Sequence, residues 1–158
     1  MREILFRGKR LDNGEWVEGF YVERQGKQWI YPSGDPVISR SLARELRPMH
    51  SAKSTQKIMR EGVPVDPATV GQYTGMKDKN GKRIFEGDVV EGHCHSAWSH
   101  YLQRCEVAYG RDGFEARHHV NCGDDGWRYY TYRVLFSKDV VVIGNIHDNP
   151  ELLEVGEG

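Results

Sequence analysis

The chain has 158 residues, 22 basic and 23 acidic side chains, and a formal charge of −1 at pH 7. That near-balance argues against a general nucleic-acid-binding surface, though not against a local patch. Eighteen glycines and 11% aromatic residues suit a turn-rich β protein, and a chain of this length buries about two-thirds of its unfolded surface without needing disulfides.

The apolar run at the N-terminus, Ile4-Leu5-Phe6, is too short for a signal peptide or a membrane span, and no long apolar run follows. The cysteines, Cys94, Cys105 and Cys122, are odd in number. Without a secretion signal they read as reduced thiols in a cytosol. The expectation is a cytoplasmic protein with no membrane contact, folded as one domain or two small lobes.

Taken in order, residues 2–23 read as a hairpin. Glu3 to Gly8 leads to Asp12-Asn13-Gly14, and Trp16 to Val22 returns. Gly26 offers a further turn into a third strand over residues 28–31. Trp16 and Trp29 suit a ligand-stacking pair or, more commonly, core and interface anchors.

Residues 32–62 change character. Asp35-Pro36 is a helix start, and Ile38, Leu42 and Leu46 repeat at intervals of four, which predicts one short helix over 36–47. From Arg40 to Glu61 six basic residues, Arg40, Arg44 and Arg47 among them, face two acids. Nucleic acid is one possible partner for that patch. No aromatic residue interleaves it, which favours a solvated face or an acidic protein segment.

Asp66-Pro67 marks a turn, and residues 69–74 lead into the most informative stretch, residues 72–92. Asn80-Gly81 tolerates positive φ and predicts a tight hairpin tip, extended by Asp78 and Lys79. Gly87 then interrupts a β-forming run, which predicts a bend between Phe85 and Val89. Glu86 and Asp88 flank it. They are candidate binding residues with Gly87, either as a carboxylate pair for metal or acid–base work or as a corner whose carboxylates bond nearby backbone N–H groups.

Residues 92–103 give no clear pattern. Residues 104–109 and 114–120 read as a hairpin about Arg111-Asp112-Gly113, residues 127–136 as an aromatic strand, and residues 140–146 as a mostly apolar buried strand. Asn149-Pro150 starts a short turn or helix through Leu152 and Leu153. The whole predicts a mainly β fold, a small bent antiparallel SH3-like barrel over residues 69–146 with an added N-terminal hairpin and one short helix.

The opening FRGKRLDNGEWVEGFYV, the central VDPATVGQYTGMKDKNGKRIFEGDVV and the closing VIGNIHDNPELL resemble the YopX family, small proteins of phages and prophages. The resemblance implies a mostly β protein acting in the bacterial cytoplasm. It implies no activity, no cofactor and no catalytic residue. Residues 32–62 and 92–136 carry none of the signature. A single YopX-like domain would comprise the N-terminal hairpin region 1–31, the basic segment 32–62, the core 63–147 and an acidic segment 148–158.

Histidines and cysteines crowd between positions 93 and 122. No Cys-two-residues-Cys spacing is present, so no metal is expected. If there is one, His93, His95, His119 and Cys122 are the first candidates. A hydrolase is the enzyme alternative, with Cys94, Ser96 or Ser99 as nucleophile beside a histidine and Glu86 or Asp88 as orienter, but no nucleophile-elbow or P-loop spacing supports it. The favoured expectation is a non-catalytic binding or assembly module acting on an unidentified protein partner. The acidic C-terminal segment, with Leu152 and Leu153 among its acids, is expected to dock between chains and form a homo-oligomer.

Overall fold

Glycine turns between short runs of β-branched and aromatic residues build strands almost throughout the described chain. The computed structural model describes residues 3–32, 62–95, 100–121, 127–132 and 138–153. The predicted helix over 36–47 and the basic patch with Arg40, Arg44 and Arg47 lie outside them, as does Cys122. The fold is mainly β, in two antiparallel sheets. Chain contacts divide it into two compact units, Met1–Gln72 and Tyr73–Gly158.

The first unit holds β1 (Phe6–Lys9), β2 (Trp16–Arg24), β3 (Lys27–Pro32) and β4 (Val63–Pro64), with the start of β5 (Gly71–Lys77). Their order is β4-β3-β2-β1-β5. The N-terminal hairpin forms as its turn chemistry predicts, pairing Phe6 with Gly19 and Lys9 with Trp16. Gln25 and Gly26 both take positive φ between β2 and β3, the backbone that matches the right-handed twist of a tight hairpin.

Leu5, Ile30, Tyr31 and Val65 are almost fully buried here. Trp29 and Tyr31 pack with Phe20 and Val22, so Trp29 is a core anchor. Trp16 instead lies under two cations, with the Arg7 guanidinium 4.6 Å and the Lys9 ammonium 5.5 Å from its ring centre. A short 3-10 turn, Pro67–Thr69, is capped by the Asp66 carboxylate, which accepts from Ala68 N at 3.0 Å. The Thr69 hydroxyl donates to the Asp66 carbonyl and accepts from Lys9 N, both at 2.8 Å. The VDPAT stretch is thereby tied to β1.

The second unit holds the rest of β5, β6 (Arg83–Phe85), β7 (Asp88–His95), β8 (His100–Gly110), β9 (Gly113–Asn121), β10 (Trp127–Tyr132) and β11 (Val141–Asn145), then a 3-10 turn, Pro150–Leu153. β5 pairs with β6, and a five-stranded sheet runs β10-β9-β8-β7-β11. Of the residues without a clear sequence pattern, 92–95 end β7 and 100–103 begin β8. One face of this sheet is the core. Val90 lies opposite Cys105 and Val142, and Val107 opposite Ala116. All five are buried together with Ile84 and Val140, and each fully buried aliphatic side chain contributes about 1.5–3 kcal/mol.

Two expectations need correction. The closed SH3-like barrel is not found. Among the described residues the five-stranded sheet ends at β10 on one side and β11 on the other, with no pairing that joins these edges. Long strands in a meander, with β11 returning to β7, satisfy the backbone without closure. Residues 140–146 are also not buried throughout. Val142 and Asn145 are buried and the residues between them half-buried, because one face of β11 belongs to the core and the other does not.

Candidate functional site

Gly87 has φ of +79°, a conformation that L side chains resist. It turns the chain sharply between β6 and β7. Both of its backbone groups are used across the fold. Its N–H donates to the Val107 carbonyl at 2.7 Å, and its carbonyl accepts from Ile146 N at 2.9 Å. The corner is thereby held to β8 and to the turn after β11.

The two carboxylates at this corner part company. Asp88 is 1% exposed, and its Oδ2 accepts from Phe85 N at 2.7 Å. Glu86 is half-buried. The predicted bend therefore separates residues that an unbent strand would place on one face. Asp88 is directed inward onto the backbone of its own corner. It is not placed to exchange protons with a substrate from solvent.

Asp88 lies opposite Asn145 at the end of β11. Asn145 is 9% exposed and organises the turn that follows. Its Oδ1 accepts from His147 N and Asp148 N, both at 2.9 Å, and its amide donates to Asp148 Oδ2 at 2.8 Å. Its carbonyl accepts from Asn149 N at 2.8 Å. The His147 ring lies 3.6 Å from where a Cβ on Gly87 would stand. Asn145 and His147 were not singled out from sequence. The HDN run with its following proline shows a turn, but gives no sign of the strand corner it closes on.

Asp78 is a further missed residue. The sequence places it in the polar tip of a hairpin, yet it is 6% exposed. Its Oδ1 accepts from Asn80 N at 2.8 Å and Lys82 N at 2.9 Å, and its Oδ2 from Val142 N at 3.1 Å. Burial pushes its carboxyl up, but the hydrogen bonds from Val142, Lys82 and Asn80 outweigh it and hold the group below the usual carboxylate range. Asn-Gly serves the turn through Gly81 alone, at φ of +83°.

The stretches around Gly87, Asp78 and Asn145 thus lock to one another, and a family model described as YopX protein matches residues 5–154, which include all three. The chain belongs to the YopX family. No curated protein matches this YopX chain. Among solved structures it is similar to the crystal structure of protein EF1440 from Enterococcus faecalis, 23% identical, with a TM-score of 0.44 over 98% of this chain and 100% of the other.

The histidine candidates divide by strand. His93, on β7, has Nδ1 against the Asp139 carboxylate, with the two side chains 48% and 40% exposed. The hydrogen bond from His93 holds the Asp139 carboxyl below its ordinary range. His95 lies opposite His100, and His119 lies opposite Tyr129. Cys94 lies opposite Tyr101 on the same strand pair. Among the described residues no group of three or more His, Cys, Asp or Glu side chains is gathered as a metal site. No described helix is long and apolar enough to cross a membrane.

Proposed function

We propose that this YopX protein is a phage or prophage protein of the bacterial cytoplasm, a non-catalytic binding or assembly module working through protein–protein contacts, self-association among them. The family resemblance supports the phage setting. The observation that carries the module reading is Leu102, an apolar side chain 54% exposed on β8. It lies opposite His93, and the next rung on that face pairs Glu91 with Arg104, whose Nε donates to Glu91 Oε2 at 2.9 Å. An apolar anchor beside paired charges suits a protein interface, where the leucine contributes burial and the charges set register. The inward turn of Asp88 supports the same reading, since that carboxylate serves the fold.

Light scattering on the full chain and on Leu102→Arg, across a wide concentration range, tests this. The expected result is an oligomer that shifts toward monomer in the variant. A full chain that stays monomeric throughout would refute self-association. An oligomer indifferent to Leu102→Arg would remove this face from the reading.

A further inference from the structure

Two Asn-Gly pairs stand at tight turns, Asn13-Gly14 in the first unit and Asn80-Gly81 in the second. Asparagine is among the chemically labile side chains, and before glycine it is open to a reaction of its own. The glycine's backbone nitrogen attacks the asparagine Cγ, since no β-carbon on the following residue obstructs the approach. A new N–Cγ bond closes a cyclic succinimide. The side-chain nitrogen leaves as ammonia, taking the proton given up by the glycine nitrogen. Water then opens the ring at either carbonyl and leaves aspartate or isoaspartate.

The turns themselves do not separate the two pairs. Gly14 N–H donates to the Arg10 carbonyl at 3.0 Å and Gly81 N–H to the Asp78 carbonyl at 2.9 Å, and both glycines take positive φ. The side chains do separate them. Asn13 is held at both ends of its amide. Its Oδ1 accepts from Glu15 N at 3.0 Å, and its Nδ2 donates to Glu15 Oε2 at 2.8 Å. Those bonds must break before Cγ swings onto Gly14 N, and the second is to a carboxylate, the stronger class. Asn80 is exposed. Its backbone N–H donates to Asp78 Oδ1 at 2.8 Å, but among the described residues nothing bonds its side-chain amide. That amide is left to sample rotamers toward Gly81 N.

We propose that Asn80 is a site of spontaneous deamidation in the folded chain, with water as the co-reactant, and that Glu15 protects Asn13 from the same reaction. The consequence lies beneath the tip. Asp78 Oδ1 accepts from both Asn80 N and Lys82 N, while Oδ2 accepts from Val142 N in β11. Lys79 N adds a bond to the Val140 carbonyl at 3.0 Å. Isoaspartate at position 80 routes the main chain through the former side chain. It adds a methylene between the two N–H groups that a single carboxylate oxygen receives together. The modified turn no longer fits both, and the attachment of the hairpin to β11 loosens.

The test is peptide mapping by mass spectrometry on the full chain aged in mildly alkaline buffer, folded and in urea, with isoaspartate read separately from aspartate. In the folded chain Asn80 should convert about tenfold faster than Asn13, the factor that two net hydrogen bonds impose. In urea the two rates should converge, since both asparagines precede glycine and Glu15 no longer holds either. Glu15→Ala, at an exposed position, should raise the Asn13 rate toward that of Asn80 and leave Asn80 unchanged. The isoaspartate form, separated from the aged sample, should melt below the unmodified chain. A folded chain in which Asn13 converts as fast as Asn80 would overturn the proposal, and so would an Asn80 that converts only in urea. An Asn13 indifferent to Glu15→Ala would overturn the protection by Glu15, and an isoaspartate form that melts with the unmodified chain would overturn the effect on β11.

Discussion

The Asp78 carboxylate, at one end of the β5–β6 hairpin, accepts a hydrogen bond from the backbone N–H of Val142 in β11, 64 residues away. The same carboxylate closes its own turn through Asn80 and Lys82. One buried side chain therefore sets a local turn and attaches it to a distant strand. Asp78→Asn keeps the oxygen that serves the turn but presents an amide to Val142 N. It is expected to destabilise the chain by about 1–3 kcal/mol, measured by denaturant melts. Because the folded carboxyl is held below its usual range, its contribution is present above the unfolded value of about 3.9 and is lost as pH falls toward the folded value. The gap in melting temperature between the native chain and Asp78→Asn should therefore be largest near neutral pH and shrink on acidification.

Gly87 offers a test of backbone strain. A Cβ there would meet nothing closer than 3.6 Å, so the Cβ itself costs through the positive φ and not through a clash. Gly87→Val is expected to cost about 1–3 kcal/mol. Gly87→Asn should cost clearly less, because asparagine tolerates the left-handed region. Equal melts for all three chains would mean that the corner relaxes to another conformation.

Gly144 is the opposite case. A Cβ there would lie 2.6 Å from Leu152 Cδ1 and 2.7 Å from Asn149 Oδ1. The closing turn lies directly on β11, and Leu152 and Leu153 are half-buried within their own chain. Gly144→Ala should destabilise by about 1–3 kcal/mol through this overpacking. Adding Leu152→Ala should recover part of the loss, so a double-mutant cycle should be non-additive. Additive effects would mean that the two positions do not touch in solution.

Thr69 tests the first unit by itself. Its hydroxyl both donates to Asp66 and accepts from Lys9. Thr69→Val keeps the shape and removes both bonds, and should cost about 1–3 kcal/mol. Thr69→Ser should retain most of the stability, as read by thermal melts.

Local chemistry made the hairpins legible. Asp12-Asn13-Gly14, Gly26 and Arg111-Asp112-Gly113 all stand at turns between strands, since turn residues act within a few positions of themselves. Gly87 was legible for the same reason. Asp78 was not, because an aspartate before Asn-Gly is ordinary at an exposed tip, and only β11 returning over it makes it buried. The β7–β8 ladder was hidden because residues 92–103 mix Gly, His, Cys and Ser without alternation. Without that ladder, His100 had no visible relation to His95. Barrel closure was overread, since bends and glycines are equally consistent with an open meander and closure depends on edges that no local pattern encodes.

β11 shifts register against β7 between Val142 and Gly144, so Ile143 has no partner of its own across the strand pair. Ile143 is therefore an insertion in the ladder and not a rung of it. Were it deleted with Val142 still opposite Val90, Gly144 and Asn145 would still fall opposite Val89 and Asp88. The pairing at the corner would survive, and what would be lost is the local kink and added twist that the extra residue gives the strand just before its closing turn. Deleting a paired residue such as Gly144 instead would leave a rung to be filled by its neighbour and would shift the alternation of every side chain beyond it.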